Sequence, residues 1–206
     1  MEIELKYRLN GRNQIEKILS DERVLSVADP DSREVIKMEA AYYDSSDRRL
    51  NREGITFRVR REDEKLVGTL KWNGTSEDGM YVREEMNVPN LEDSKFIMPD
   101  PDIFSQSEMC QVMKDILGER TLEREVYIDF TRKQVRLDTG KVICELSIDE
   151  GKVTRHGKEG EILEMEIELY SGDREEMEAF GAYLAEKYDL KAENRSKFKQ
   201  GLELDD

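Results

Sequence analysis

Histidine is almost missing from this 206-residue chain: His156 stands alone, which excludes a histidine-built zinc or iron centre and leaves a solvated turn as its expected place. Cysteine is as scarce. Cys110 and Cys144 are too few and too separated for a metal-ligand motif, and they read as ordinary buried thiols rather than a disulfide. No stretch approaches the roughly 18 apolar residues of a membrane span, and no signal peptide precedes a first strand that opens at Met1, so a cytoplasmic protein is expected. An excess of basic residues is lacking too. Against 48 Asp and Glu stand 33 Lys and Arg, a net charge of -15, which argues against a nucleic-acid backbone as general partner. A small polyanion is not excluded, because bases can gather locally and divalent metals add positive charge. Apolar residues make up 37% and charged residues 39%, polar for a globular chain, yet clear strand patterning excludes disorder.

That patterning starts at the first residues. Met1 to Arg8 alternate charged and apolar side chains, so Glu2, Glu4, Lys6 and Arg8 share one face of a strand, with Ile3, Leu5 and Tyr7 on the other. Four more segments repeat the device. Thr56, Arg58 and Arg60 form one set, Thr69 and Lys71 a second, Arg83, Glu85 and Asn87 a third, and Glu164, Glu166 and Glu168 a fourth. In a closed antiparallel barrel these charged faces can all point into the lumen, with acids on some strands and bases on others. The apolar faces then turn outward, against helices or a partner, and could support a homodimer.

Glu2-x-Glu4-x-Lys6 resembles the ExExK signature of the CYTH superfamily, the triphosphate tunnel metalloenzymes. The likeness runs on through Tyr42-Tyr43-Asp44-Ser45, Leu50-x-x-x-Gly54-x-x-Phe57-Arg58-Val59-Arg60, Thr69-Leu70-Lys71, Arg83-x-Glu85, Glu164-x-Glu166-x-Glu168 and Ser196-Lys197, in order over nearly the whole chain. It implies an α+β fold, a closed antiparallel β-barrel of about eight strands with helices packed outside, as one domain over 1–206. It also implies a catalytic set of Glu2, Glu4, Lys6 and Glu166, and substrate binding by Lys6, Arg58, Arg60, Lys71, Arg83, Arg124 and Lys197. Metal ligands would come from Glu2, Glu4, Glu145, Asp149, Glu164, Glu166 and Glu168. Carboxylates suit Mg²⁺ or Mn²⁺, hard ions that prefer oxygen. In the family one ion binds phosphate oxygens while a second positions and activates water. Arg124 falls where relatives carry a basic strand residue, although the usual Lys-x-Arg pairing is unclear here.

Along the chain the spacing predicts a helix over Asn13 to Leu19, one apolar run between Ser20 and Asp31, and a strand from Val35 to Asp44. Strands follow at Ile55 to Glu62, Leu66 to Trp72 and Met80 to Val88, with Asn73-Gly74 to Gly79 as a turn. Pro89 to Pro101 holds three of the four prolines and reads as the least ordered stretch. A helix over Ser105 to Leu117 comes next, capped by Ser105 or Ser107. Strands are then expected at Arg120 to Thr131, Gln134 to Asp138, Val142 to Asp149, Lys152 to His156 and Ile162 to Tyr170, with a last helix over Asp173 to Lys187. Tyr42 and Tyr43 read as structural, and Glu84, Glu123 and Glu125 as surface residues by parity.

The expected activity is metal-dependent hydrolysis of inorganic triphosphate, a small-molecule substrate, to diphosphate and phosphate. Cys144 to Val153 followed by the three-glutamate strand looks most like the bacterial inorganic-triphosphatase branch. The alternatives are a class IV adenylate cyclase or a thiamine or nucleoside triphosphatase, for which no base-binding residues are visible, and a non-catalytic polyphosphate or nucleotide sensor.

Overall fold

The computed structural model describes residues 1–205 and turns the alternating segments into one closed sheet. In chain order the elements are β1 (Glu2–Arg8), α1 (Asn13–Leu19), α2 (Glu22–Val27), β2 (Glu34–Asp44), α3 (Arg49–Arg52), β3 (Thr56–Glu62), β4 (Lys65–Glu77) and β5 (Met80–Pro89). Then come α4 (Ser94–Ile97), α5 (Glu108–Leu117), β6 (Glu123–Asp138), β7 (Val142–Arg155), β8 (Lys158–Gly172), α6 (Arg174–Tyr188), β9 (Lys191–Ala192) and α7 (Lys197–Leu202). Neighbouring strands run β5-β4-β3-β2-β6-β7-β8-β1, and a further β1–β5 pairing, Glu2 opposite Arg83, closes the ring. β9 adds to the far end of β1 through Tyr7 and Ala192. The fold is thus an eight-stranded antiparallel barrel with one extra strand and helices outside, as expected.

Apolar faces pack outward. Leu5, Leu146, Ile148, Met165 and Ile167 from β1, β7 and β8 meet Ile15 and Ile18 of α1 and Met177, Phe180 and Leu184 of α6. On the opposite wall Phe57, Val59 and Leu70 meet Phe104 and then Met113 and Leu117 of α5, which Ser107 caps by accepting from the Met109 N–H. A third apolar cluster lies inside. α7 enters the barrel end, where the Phe198 ring stacks on Tyr42 at 5.2 Å and packs with Met38, Ile128, Phe130, Val153 and Ile162.

Several boundaries differ from expectation, each for a local reason. Asp21 caps α2, a helix where the sequence shows only an apolar run. Asn73 takes a left-handed backbone and β4 bulges between Trp72 and Thr75, so the supposed turn is strand as far as Glu77. β6 and β7 run without a break. Gly151 keeps β7 continuous, because a Cβ there would lie 2.2 Å from the Asp129 carbonyl oxygen. The proline-rich stretch contains the one-turn α4. Glu125 is buried and not a surface residue, for reasons given below. Among the described residues, no helix is long and apolar enough to cross a membrane.

Asp21 is one of the buried charges outside the lumen. Its carboxylate accepts from the Arg23 N–H at 2.9 Å and the Tyr188 hydroxyl at 2.8 Å, and pairs with Lys187 at 2.7 Å. Burial works against ionisation, but Lys187, Tyr188 and the Arg23 N–H hold its pKa down at about 2, below the ordinary 3.8. The stability this supplies is fully present above pH 3.8 and is lost as the pH falls toward 2. Asp21→Asn is predicted to cost roughly 2 kcal/mol near neutral pH, the worth of a hydrogen bond to a charged group. In urea unfolding between pH 6 and 2, the gap from the unmutated chain should shrink as acid is added; a constant gap would show that the ionised form is not what matters.

Candidate functional site

The lumen is a cavity of about 880 Å³. Strand parity delivers its walls as the sequence implies: Glu2, Glu4 and Lys6 from β1, Thr56, Arg58 and Arg60 from β3, Lys71 from β4, Arg83, Glu85 and Asn87 from β5, and Glu145, Glu166 and Glu168 from β7 and β8. Asp149 and Glu164 lie deeper on the same faces, at 0% and 2% exposure. Lys197 reaches the cavity from the start of α7.

Arg124 does not join them. β6 bulges between its pairings of Tyr42 with Val126 and Tyr43 with Arg124, and Glu125 is the inserted residue. One extra residue reverses the parity beyond it. Arg124, which shares an even-numbered register with the lumen residues Phe130, Arg132 and Gln134, therefore turns to the exterior and lies over the Tyr127 ring. Glu125 turns inward to pair with Arg155. The basic residue that β6 gives to the lumen is Arg132. Carrying the even-numbered parity of Arg124 through to Gln134 would have found it, but the spacing breaks the expected strand between Thr131 and Gln134, where Arg132 stands.

The charges fall into two groups. In the deep group Lys6 lies 2.8 Å from Glu166 and 3.3 Å from Glu164, Lys197 lies 2.7 Å from Asp149 and from Glu166 and also contacts Glu164, and Arg132 grips Asp149 through Nε at 2.8 Å and Nη2 at 2.7 Å. Arg132 also donates to Glu166 at 2.6 Å. Burial alone would raise Glu166, but Lys197, Lys6 and Arg132 hold it well below the usual carboxylate range. Asp149, Glu164 and Glu166 have oxygens within 4.8 Å of one another, close enough to share a cation. Three side-chain cations already neutralise them.

The second group is compensated only in part: Glu4 keeps Arg83 at 3.3 Å and Lys6 at 3.8 Å. Glu4 stands opposite Glu168 in the register, and Glu168 opposite Glu145. Burial and the neighbouring Glu166 push Glu4 up, while burial together with Glu2, Glu4 and Glu85 pushes Glu168 up to about 7. Only Glu2 is well served: despite burial, Lys71 at 2.8 Å and Arg83 keep it low. Carboxylates crowded in this way, all offering oxygen, suit a hard divalent cation.

Facing the acids is an arginine without a carboxylate. Arg58 is bonded through one arm to Thr69 at 3.1 Å, and among the described residues its buried Nε has no hydrogen-bond partner. Arg60 pairs only with Glu62 at the rim; burial and the adjacent Arg58 and Arg132 make its charge harder to hold. An unpaired guanidinium beside a second one held only at the rim creates a place for an anion with several oxygens. Tyr42 lines the same space beside Arg58 while keeping the packing role read from the sequence, stacked on Phe198.

Removing one partner separates the two kinds of arginine. Arg132→Met leaves the fully buried Asp149 with Lys197 as its one remaining cation and strips Glu166 of a donor, and should cost roughly 3–5 kcal/mol. Arg124→Ala, at the exposed bulge, should stay within about 0.5 kcal/mol. Chemical unfolding of both variants checks the reassignment, and comparable losses would contradict it.

The CYTH domain profile matches residues 1–202. An inorganic triphosphatase of Haemophilus influenzae is 29% identical over 160 residues, covering 78% of this chain but only 44% of that protein, so the chain spans less than half the length of this relative. Among solved structures, a Hippeastrum protein described as an adenylyl cyclase with a dominant triphosphatase activity superposes with a TM-score of 0.69 at 18% identity, covering 98% of this chain and 96% of that one. A Bacillus halodurans protein named as an adenylate cyclase gives 0.61 at 16% identity, with 97% and 96% covered. These two likenesses establish the fold, and the profile match over nearly the full length establishes the lineage: the chain belongs to the CYTH domain family.

Proposed function

We propose that the chain, acting as one domain over residues 1–206, hydrolyses inorganic triphosphate to diphosphate and phosphate with the help of Mg²⁺ or Mn²⁺. The observation that carries this reading is the juxtaposition, inside one closed lumen, of crowded carboxylates short of positive charge and arginines short of negative charge. A divalent cation held by the carboxylates and a polyphosphate held by the arginines would satisfy both. The Haemophilus influenzae relative supports the substrate choice.

Glu2, Glu4 and Glu168 would hold the ion, with Glu145 completing the set from the neighbouring strand. Once there, it would neutralise charge on the phosphate oxygens. Arg58 and Arg60 would grip the phosphates through their planar forks. Lys71 and Arg83, which bridge Glu2 to Glu85 and to Glu4, would hold the acids and the substrate in register. Arg132, Lys6 and Lys197 would form the positive floor beneath, fixed by Asp149, Glu164 and Glu166. Asp149 then serves less as a metal ligand than as the anchor of Arg132. Holding the phosphates in line within a preorganised field would supply most of the rate acceleration.

Phosphate release should be compared for inorganic triphosphate, ATP and thiamine triphosphate, each with Mg²⁺, Mn²⁺ or chelator, alongside cyclic AMP formation from ATP. Release chiefly from inorganic triphosphate and only with metal is expected. Glu4→Gln should abolish the metal-dependent part, and Arg58→Ala should lower turnover by roughly 10²–10³-fold. A product formed mainly from ATP or thiamine triphosphate would move the chain to an organic substrate. Tight triphosphate binding without turnover would favour a sensor.

A further inference from the structure

Lys197 sits at the start of a helix of six residues, α7, too short to be stable in isolation. Its ammonium must nevertheless be placed to within ångströms among Asp149, Glu164 and Glu166. The segment is therefore bolted at both ends. Before the helix, the Gly79 N–H donates to Asn194 at 2.7 Å, and Arg195 bridges Glu193 at 2.6 Å and Glu203 at 3.1 Å. Along it, Gly201 lies so close to β6 that a Cβ would come 2.4 Å from Val126.

The far end is held by Arg155, the last residue of β7, whose side chain is 8% exposed. Its guanidinium donates to the Leu202 carbonyl at 3.0 Å, to Glu125 at 3.0 Å, and pairs with Asp205 at 2.9 Å. Asp205 is itself steadied at 2.8 Å by His156, which sits in the solvated turn expected of it. Leu202 and Asp205 belong to the end of α7 and the turn after it; Glu125 is the residue inserted in the β6 bulge. The bulge thus does two things at once: it sends Arg124 outward and supplies the inward carboxylate that orients Arg155. Three acceptors in different directions match the planar fork of arginine, and a lysine could meet only some of them. Arg155 lies beyond the cavity and does not line it.

We propose that Arg155 is a positioning residue: by clamping the end of α7 to the β6 bulge, it sets where the Lys197 ammonium meets Glu166 and the substrate phosphates. This rests on the triphosphatase reading of the lumen. Arg155→Met should reduce triphosphate turnover roughly ten- to hundredfold, the scale of a small misplacement relayed from outside the site. In a Lys197→Ala background the same substitution should change turnover by no more than about twofold. Arg155→Lys should recover part of the loss. Losses that multiply in the double variant would overturn the proposal, since Arg155 would then act independently of Lys197.

Hydrogen exchange tests the clamp without reference to substrate. Amides of residues 198–202 should exchange faster in Arg155→Met while β1 and β8 keep their protection; unchanged exchange at α7 would also overturn it. Should Arg155→Met fail to fold, Asp205→Asn removes one arm of the clamp and should show the same pattern more weakly, unchanged α7 exchange again counting against it. If the unmutated chain does not hydrolyse triphosphate, the triphosphatase reading falls by itself. The clamp is then judged by exchange and by the same double-variant comparison on calorimetric binding of inorganic triphosphate, where additive losses would overturn it.

Discussion

Burying many charges inside a barrel is the constraint on which everything else in this fold depends. Glu2, Glu4, Lys6, Arg132, Asp149, Glu164, Glu166 and Lys197 are each no more than 9% exposed. An isolated buried ion costs several kcal/mol after relaxation, a cost offset only when a partner of opposite sign is well placed. Antiparallel pairing provides such partners without long-range coincidence: Lys6 lies directly opposite Glu166, and Glu2 opposite Arg83. The polar interior in turn forces the apolar faces outward, which is why α1, α5 and α6 must cover the barrel. Composition follows from the same constraint, since a chain with charge on both the surface and the inside needs the high charged fraction seen here.

Compensation is complete in one part of the lumen and incomplete in the other, and the division follows depth. Around Glu166 each carboxylate has cations within hydrogen-bonding reach, which makes that region rigid and electrically quiet. Around Glu4, Glu168 and Arg58 the groups of like sign face each other. Folding alone gains nothing from such an arrangement, and a fold under selection only for stability would have replaced Glu168 or Arg58 by a neutral residue. Local conflict of this kind, set beside a satisfied network, is where a ligand is expected to bind.

How far the sequence revealed this depended on whether period two was preserved. On β1, β3, β4, β5 and β8 the alternation is unbroken through the charged residues, and Glu2, Glu4, Lys6, Arg58, Arg60, Lys71, Arg83, Glu166 and Glu168 all point where parity sends them. On β6 a single inserted residue, Glu125, reverses the pattern beyond it, so unbroken parity misplaces Arg124 in the lumen, whereas Arg132 goes unseen because the spacing breaks the strand between Thr131 and Gln134. No local signal distinguishes a bulge from a regular strand here, because its cause, the pairing of Glu125 with Arg155, lies on another strand. The helix α7 was missed for a related reason: Lys197 to Leu202 has little helical character of its own, and its position is set by Phe198 on Tyr42 and Gly201 on Val126. The pairing of charges, as distinct from their facing, could not be read at all. Which cation neutralises which acid depends on stagger around the barrel, and stagger leaves no trace in one strand's spacing.

The two ends of the chain meet at one oxygen. Lys6, on the first strand, and Lys197, on the last helix, approach the same oxygen of Glu166 at 2.8 and 2.7 Å. Neither ammonium would be stable there without the carboxylates, and the carboxylates would repel one another without both ammonium groups. Contacts of such sequence separation form late, after the loop entropy of nearly the whole chain has been spent. Until β1 pairs with β5 and β8 the barrel is an open sheet with its charged face in water, where the acids and bases need no partners. Closing the barrel and assembling the deep charge cluster are therefore one event. The same ring of pairs that makes the fold a barrel also makes the floor of its site, so a change that weakens the cluster loosens closure, and a change that loosens closure removes the floor.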